Sequence, residues 1–306
     1  MLPLFFAVGI IFAPIGGLLL WASSKVQSIN IDYSTCNTTA PTCQPGTTIP
    51  PQGAYIPDSK VTSYFKNSTD RADRPTWCRT VSNRGETFGG PRDNVYSPVC
   101  HIQFNIPDTL EPPVLLYYQL TNFYQNHRRY VKSFDQDQLS GTYRSNHSIN
   151  GSDCDPLEGE MTPEGAWKAY YPCGLIANSR FNDTIQMPVL LNPSGSSSSN
   201  ITYNMTSNGT AWDSDKDLYK ETAYKLGDVI PPPNWREVYP EYSEEYPFPD
   251  LHNDDGFQVW MRTAGLPTFS KLALRNDNEP MLAGRYQLDI YDCRSKSWQI
   301  PATELC

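Results

Sequence analysis

The chain has 306 residues, 12% of them aromatic, and its 24 basic and 33 acidic side chains give a net charge of −9. Its Tyr, Phe and Trp content excludes disorder along the whole length. The acidic balance excludes a nucleic-acid partner, because phosphate binding needs a basic surface that releases counterions.

Leu2 to Trp21 carries no charge, and the first ionisable side chain is Lys25. About 20 helical residues span about 30 Å, the thickness of a hydrocarbon core. The run is longer than the apolar part of a cleaved signal peptide and no basic stretch precedes it. Residues 2–22 are therefore predicted to be one transmembrane helix, with Pro14 and Gly16-Gly17 tolerated in it. Residues 26–99 are rich in Pro, Thr, Ser and Asp and read as a loop-dominated region pinned by cysteines. The first predicted strand is His101–Ile106, where Ile102, Phe104 and Ile106 alternate with polar residues. Pro113–Phe123 is a second, more continuously apolar and so more buried. Gln186–Leu191 is a third, placed at a sheet edge by Pro188. Asn192–Thr210 is Ser-rich and reads as a flexible loop. After a break at Pro231-Pro232-Pro233, strand-like alternation resumes at Phe257–Met261 and Arg285–Tyr291. Short strands with long connections predict a mainly β, α+β body: an antiparallel β-sandwich-like ectodomain behind the single helix.

Eight Asn-x-Ser/Thr sequons begin at Asn37, Asn67, Asn146, Asn150, Asn182, Asn200, Asn204 and Asn208. That number implies exposure to the glycosylation machinery. The even set Cys36, Cys43, Cys78, Cys100, Cys154, Cys173, Cys293 and Cys306 contains no CxxC spacing. Disulfides in an oxidising lumen account for it better than a metal or redox site.

Catalytic signals are weak. His101, His127, His147 and His252 form no HxxxH or HExxH pair, so no metal site is predicted. Asp213-Ser214-Asp215-Lys216-Asp217 lacks the Gly and the closing acid of a calcium loop and reads as a solvated acidic turn. No GxSxG, GxGxxG or GK[ST] loop is present, which leaves no cofactor to predict. The adjacent acids Asp254-Asp255 and Glu244-Glu245 read as hydrated loop residues, not glycosidase pairs.

Asn122-Phe123-Tyr124-Gln125-Asn126-His127-Arg128-Arg129-Tyr130 packs amide, cationic and aromatic side chains densely. It could be a phosphate or lipid-headgroup clamp. The favoured reading is an interior polar network, with the arginines satisfied by acids and carbonyls and stacked on tyrosines.

Tyr117–Ser133 with Gln138-Leu139-Ser140-Gly141 behind it, Pro172–Thr184, and Val259–Pro267 together resemble the signature of the cell-division-control-protein-50, or ligand-effect-modulator, family. Phe5–Leu20 followed by Ile31-Asp32-Tyr33 resembles that family's first membrane span and its exit. The likeness runs from about residue 2 to 290. It implies the non-catalytic β-subunit of a type IV P-type ATPase that flips phospholipids, needed for the pump's folding, exit from the endoplasmic reticulum and activity. The implied partners are that ATPase, as a heterodimer, and membrane lipid. The implied location is an integral membrane protein of the endoplasmic reticulum, Golgi, endosome or plasma membrane with a lumenal ectodomain. The resemblance further implies the disulfides Cys36–Cys100, Cys43–Cys78 and Cys154–Cys173, places Asn182 inside a family motif, and makes Trp260-Met261-Arg262 and Asn122–Tyr130 structural or partner-binding.

The domains expected are a helix at 2–22, a disulfide-bonded glycosylated ectodomain at 26–290, and an atypical tail at 291–306. The tail departs from the family pattern where a second span is expected, as in a truncated or mis-spliced gene model, leaving Cys293 and Cys306 without family partners, to pair with each other or stay free. The rival class is a secreted or tethered carbohydrate-binding protein or glycoside hydrolase.

Overall fold

The computed structural model describes residues 2–43, 55–67, 74–83, 96–191, 200–236 and 238–291. The first element is a helix, Leu2–Ser23, 22 residues long, with Pro14 inside it and no charge in either terminal turn. Its side chains are described at Phe6 and from Val8 onward, and Ile10, Phe12, Leu18, Leu19 and Leu20 lie exposed. Among the described residues no helix is long and apolar enough to cross a membrane.

Beyond the helix the chain is mainly antiparallel β-structure with short helices, divided into two compact units. The first combines 1–111 with 185–203 and 280–291. It holds the ribbon of β1 (Ser28–Ile31) and β2 (Val61–Tyr64). Its main sheet is built from β3 (Thr76–Asn83), β4 (Tyr96–Ile106), β8 (Thr184–Ile185), β9 (Val189–Leu191), β10 (Ile201–Thr202) and β12 (Gly284–Tyr291), in the order β10-β9-β12-β4-β3 with β8 also on β12. Alternation sets the register. Ile102, Phe104 and Ile106 of β4 and Tyr286 and Ile290 of β12 are buried, and Phe104 faces Tyr286 across the ladder with rings stacked at 6.2 Å. Two disulfides staple the unit, Cys36–Cys100 with Cα atoms 6.0 Å apart and Cys43–Cys78 at 5.1 Å.

The second unit combines 112–184 with 204–279. It contains the ribbon of β5 (Val114–Leu120) and β11 (Phe269–Asn276), the hairpin of β6 (Gly159–Met161) and β7 (Trp167–Ala169), and several one-turn helices. Tyr171, Tyr224, Trp235, Tyr242, Leu251 and Phe257 form an aromatic-rich core. Edge-on rings, such as Trp235–Phe257 at 5.8 Å, suit the ring quadrupoles. Cys154–Cys173, with Cα atoms 5.7 Å apart, closes the unit beside the fully buried Gln138. The Gln138 amide donates to the Tyr170 carbonyl at 2.9 Å and accepts from the Cys173 N–H at 2.9 Å.

Several expectations are corrected. Phe257–Met261 lies in a helix, Asp255–Met261, because Asp254 caps its N-terminus through the Phe257 N–H at 2.9 Å and Phe257 and Trp260 bury one helical face. Residues 26–99 supply β1 to β3 and part of β4, paired to partners the local composition does not reveal. β5 is half-exposed, with Leu115 and Tyr117 in the open, because only one face of its ribbon packs inward. Pro188 does not set an edge: β9 sits between β10 and β12, and Pro188 precedes it with its carbonyl accepting from the Tyr203 N–H. Residues 192–199 lie outside the described residues, whereas 200–210 is anchored at the buried Tyr203, Met205 and Thr210 with its other residues exposed. Strand β11 has no counterpart among the predicted elements, because Lys271 at an inward position hides its alternation.

Candidate functional site

The three long motifs, far apart in sequence, meet in the second unit. Asn122 adopts a left-handed φ of 58°, which asparagine tolerates, and turns the chain out of β5. The Phe123 N–H then donates to the Pro267 carbonyl at 3.0 Å, and the Phe123 ring packs edge-on against Tyr130, Trp260 and Phe269. Gln125 is fully buried, and its Oε1 accepts from the Ala264 N–H at 2.9 Å. Asn126 Nδ2 donates to the Gly265 carbonyl at 3.0 Å. Tyr130 and Ser179 bond through their hydroxyls at 2.7 Å, and Trp260 Nε1 donates to the Ile176 carbonyl at 2.7 Å. Burial pushes the Tyr130 phenol up to about 12. Tyr118 and Phe181 stack face to face at 4.0 Å. Leu120, Ile176 and Trp260 form the apolar centre that all three motifs enclose.

Beside that centre, Lys271 is buried and donates to the carbonyls of Val259, at 2.9 Å, Trp260, at 3.3 Å, and Arg262. An ammonium thus closes the C-terminal end of the Asp255–Met261 helix, where unsatisfied carbonyls point. Burial, and then the nearby Arg262 charge, push Lys271 down to about 8. Arg262 grips Asp215 with Nε to Oδ2 at 2.5 Å and Nη2 to Oδ1 at 3.1 Å, while its guanidinium lies 3.3 Å from the centre of the Trp212 ring. The expected solvated turn at Asp213–Asp217 is therefore partly inside: Asp213–Lys216 is helical and Asp215 is buried against Arg262. Asp254 and Asp255 are likewise not simply hydrated. Asp254 pairs with Arg180, and the buried Asp255 accepts from the Gly209 N–H at 2.6 Å and faces Lys216 at 3.3 Å.

Of Asn122–Tyr130, Gln125 is buried and Phe123 and Tyr130 are half-buried. Asn122, Tyr124, Asn126, His127, Arg128 and Arg129 are exposed. Arg129 meets Asp155 at 2.5 Å in the open, Arg128 has no side-chain partner among the described residues, and neither stacks on a tyrosine. One helical turn, Arg128–Lys132, turns those cations outward. Among the sequons, Asn67, Asn150, Asn182, Asn200, Asn204 and Asn208 are exposed, with Asn67 Nδ2 donating to Asp108 at 2.8 Å. Asn37 and Asn146 are half-buried, and Asn146 Oδ1 accepts from the Ala169 N–H at 3.0 Å. Cys293 and Cys306 lie outside the described residues.

In the first unit a row of polar side chains crosses β3, β4 and β12. Arg285 donates to Thr76 at 3.0 Å and to Gln103 at 3.2 Å, and Gln103 donates to Gln287 at 3.1 Å. Gln287 donates to Asp289 at 2.9 Å, and His101 bridges Asp289 and Thr80 at 2.8 Å each. Hydroxyl, imidazole and carboxylate follow one another here as in hydrolases. The row satisfies the buried Thr76 and Gln103, and Thr80 sits mid-strand on the ladder of β3 with β4. Among the described residues no cluster of three His, Cys, Asp or Glu side chains could hold a metal ion.

A family model described as the LEM3 (ligand-effect modulator 3) family / CDC50 family matches residues 19–295. The chain is 42% identical over 283 residues to the phospholipid-transporting ATPase accessory subunit CDC50 of Chaetomium thermophilum, covering 92% of this chain and 66% of that protein. It is 37% identical to the phospholipid-transporting ATPase accessory subunit LEM3 of Saccharomyces cerevisiae, covering 94% and 65%. It is 33% identical to cell cycle control protein 50A of Mus musculus, covering 94% and 68%. The chain thus spans just under two thirds of the length of these two fungal relatives.

Proposed function

The chain belongs to the ligand-effect-modulator 3 / CDC50 family, and on that premise we propose that it is the non-catalytic β-subunit of a phospholipid-translocating ATPase. In this reading the Leu2–Ser23 helix spans the membrane and residues 26–290 form a lumenal, glycosylated ectodomain that grips the pump and supports its folding, its exit from the endoplasmic reticulum and its lipid transport. The observation that carries the reading is the 42% identity to a protein named as such an accessory subunit. It is supported by the way the three motifs use their polar groups. Gln125, Trp260 and Ser179 hold neighbouring backbone and side chains in place, an arrangement that builds a rigid body and performs no chemistry. Of the adjacent acids considered as a glycosidase pair, Asp254 is committed to Arg180 and Asp255 to Gly209 and Lys216. Asn122–Tyr130 and Trp260-Met261-Arg262 act as structural elements of the pump-binding body.

Purification in mild detergent should recover the chain with a large membrane ATPase. Cells lacking it should lose inward transport of labelled phospholipid, and the isolated chain should hydrolyse no ATP. Nucleotide hydrolysis or lipid flipping by the chain alone would overturn the reading. N-terminal sequencing of the mature protein separates a retained span from a cleaved leader.

A further inference from the structure

Outside the N-terminal helix, Trp212 is the one exposed tryptophan among the described residues; Trp77, Trp235 and Trp260 are buried and Trp167 half-buried. One face of its indole is covered by the Arg262 guanidinium at 3.3 Å. Trp212 lines a cleft of about 150 Å³ with Thr210, Asp215, Arg262, Ser270 and Lys271. The cleft is too small for a drug-sized ligand, which needs roughly 300 Å³ or more. An aromatic wall beside hydroxyls suits one sugar ring, with C–H groups against the indole and its polar groups toward the Ser270 hydroxyl and toward Thr210, whose hydroxyl donates to the Ser207 carbonyl at 2.7 Å and can still accept.

The same Thr210 is the hydroxyl residue of the sequon Asn208-Gly209-Thr210. Residues 207–210 form a turn in which the Thr210 N–H donates to the Ser207 carbonyl at 3.2 Å and Gly209 has φ 78°. Both sides of Gly209 are clamped. Its N–H donates to Asp255 Oδ2 at 2.6 Å, and its carbonyl accepts from Arg275 Nη1 at 2.6 Å. Asn208, exposed, is therefore presented from a fixed base. Four Cα steps separate it from Trp212, at most about 15 Å and less across a turn. A tethered sugar on a rigid stem has little orientational freedom to lose on docking.

We infer that the cleft beside Trp212 receives the first N-acetylglucosamine of a glycan carried on Asn208. The docked sugar covers the exposed tryptophan and ties the 207–210 turn to the end of the Asp255–Met261 helix. This rests on the lumenal placement proposed above.

The full chain, made in a glycosylating eukaryotic host and kept in detergent, is mapped for sequon occupancy by mass spectrometry. Samples trimmed to a single N-acetylglucosamine and samples stripped of the whole glycan are then oxidised, and modification of Trp212 is followed peptide by peptide. With the single sugar in place, Trp212 should oxidise roughly fivefold more slowly than after stripping, the occlusion that one aromatic stacking contact provides. Asn208→Gln should match the stripped protein, and Asn150→Gln should leave the protection intact. Enzymatic stripping acts on already folded protein, so the comparison survives if Asn208→Gln fails to fold. Equal oxidation rates with Asn208 occupied would overturn the inference, as would a bare Asn208 in a chain glycosylated elsewhere. A chain with no sugar at any sequon would overturn it together with the lumenal placement.

Discussion

Arg180 and Asp254 join through both arms of the guanidinium, Nη1 to Oδ2 at 2.6 Å and Nη2 to Oδ1 at 2.9 Å. The same carboxylate caps the Asp255–Met261 helix through the Phe257 N–H, and the guanidinium lies over the Phe257 ring at 5.7 Å. One charge pair thus docks the Pro172–Thr184 motif onto the start of the helix that carries Trp260. Asp254→Ala removes cap and counter-charge together and should lower unfolding free energy by about 2 kcal/mol, after allowance for partial solvent access. Asp254→Asn keeps an acceptor for the cap and should lose about half as much. Denaturant unfolding of the two variants checks the order, and an equal loss in both would mean that the cap contributes nothing.

Gly174 sits at φ 98°, where an added Cβ would strike the carbonyl of the buried Ser133. Gly165 also has a left-handed φ, 81°, but faces open space. Gly174→Ala should cost more than about 3 kcal/mol and block folding, whereas Gly165→Ala should cost about 1 kcal/mol. Expression level and thermal midpoint distinguish the two; similar behaviour would show that Ser133 yields easily.

The disulfides should rank by the loop they close. Cys154–Cys173 encloses a sequence separation of 19 and Cys36–Cys100 one of 64. Paired Cys→Ser replacement should cost about 3 kcal/mol for the first and about 4 kcal/mol for the second on the chain-entropy account. Thermal unfolding of the non-reduced variants measures this directly, and a larger loss at the shorter loop would place the stabilisation in native contacts instead.

Lys271 gives a pH signature with a definite sign. Its folded value is about 8 against an ordinary 10.5, so between these the unfolded chain binds more protons than the folded one. The contribution of Lys271 to stability should therefore rise as pH climbs from about 8 toward 10.5. Buried tyrosines oppose this above pH 10, since burial raises Tyr171 and Tyr219 to about 12 and their neutral form favours folding below that range. The clean measurement is the stability difference between the parent and Lys271→Met, which should move in the parent's favour over that window; a flat difference would show that burial does not lower the Lys271 ammonium's pKa.

The chain's own order of residues determined a good deal. Charge-free Leu2–Trp21, the density of sequons and the even cysteine set follow from composition and spacing. The strands at His101–Ile106 and Arg285–Tyr291 could be read because a two-residue period has one outcome when one sheet face is buried. Phe257–Met261 could not, since Phe257, Val259 and Met261 alternate while Phe257, Trp260 and Met261 also fit a helical face, and the Asp254 cap decides between them. Tertiary structure alone decided which polar groups go inside. Gln125 finds the Ala264 N–H 139 residues away, and Asp215 finds Arg262 47 residues away. A buried amide or carboxylate is tolerated only where another segment brings its partner within hydrogen-bond reach, and local periodicity carries no record of where that segment will fall.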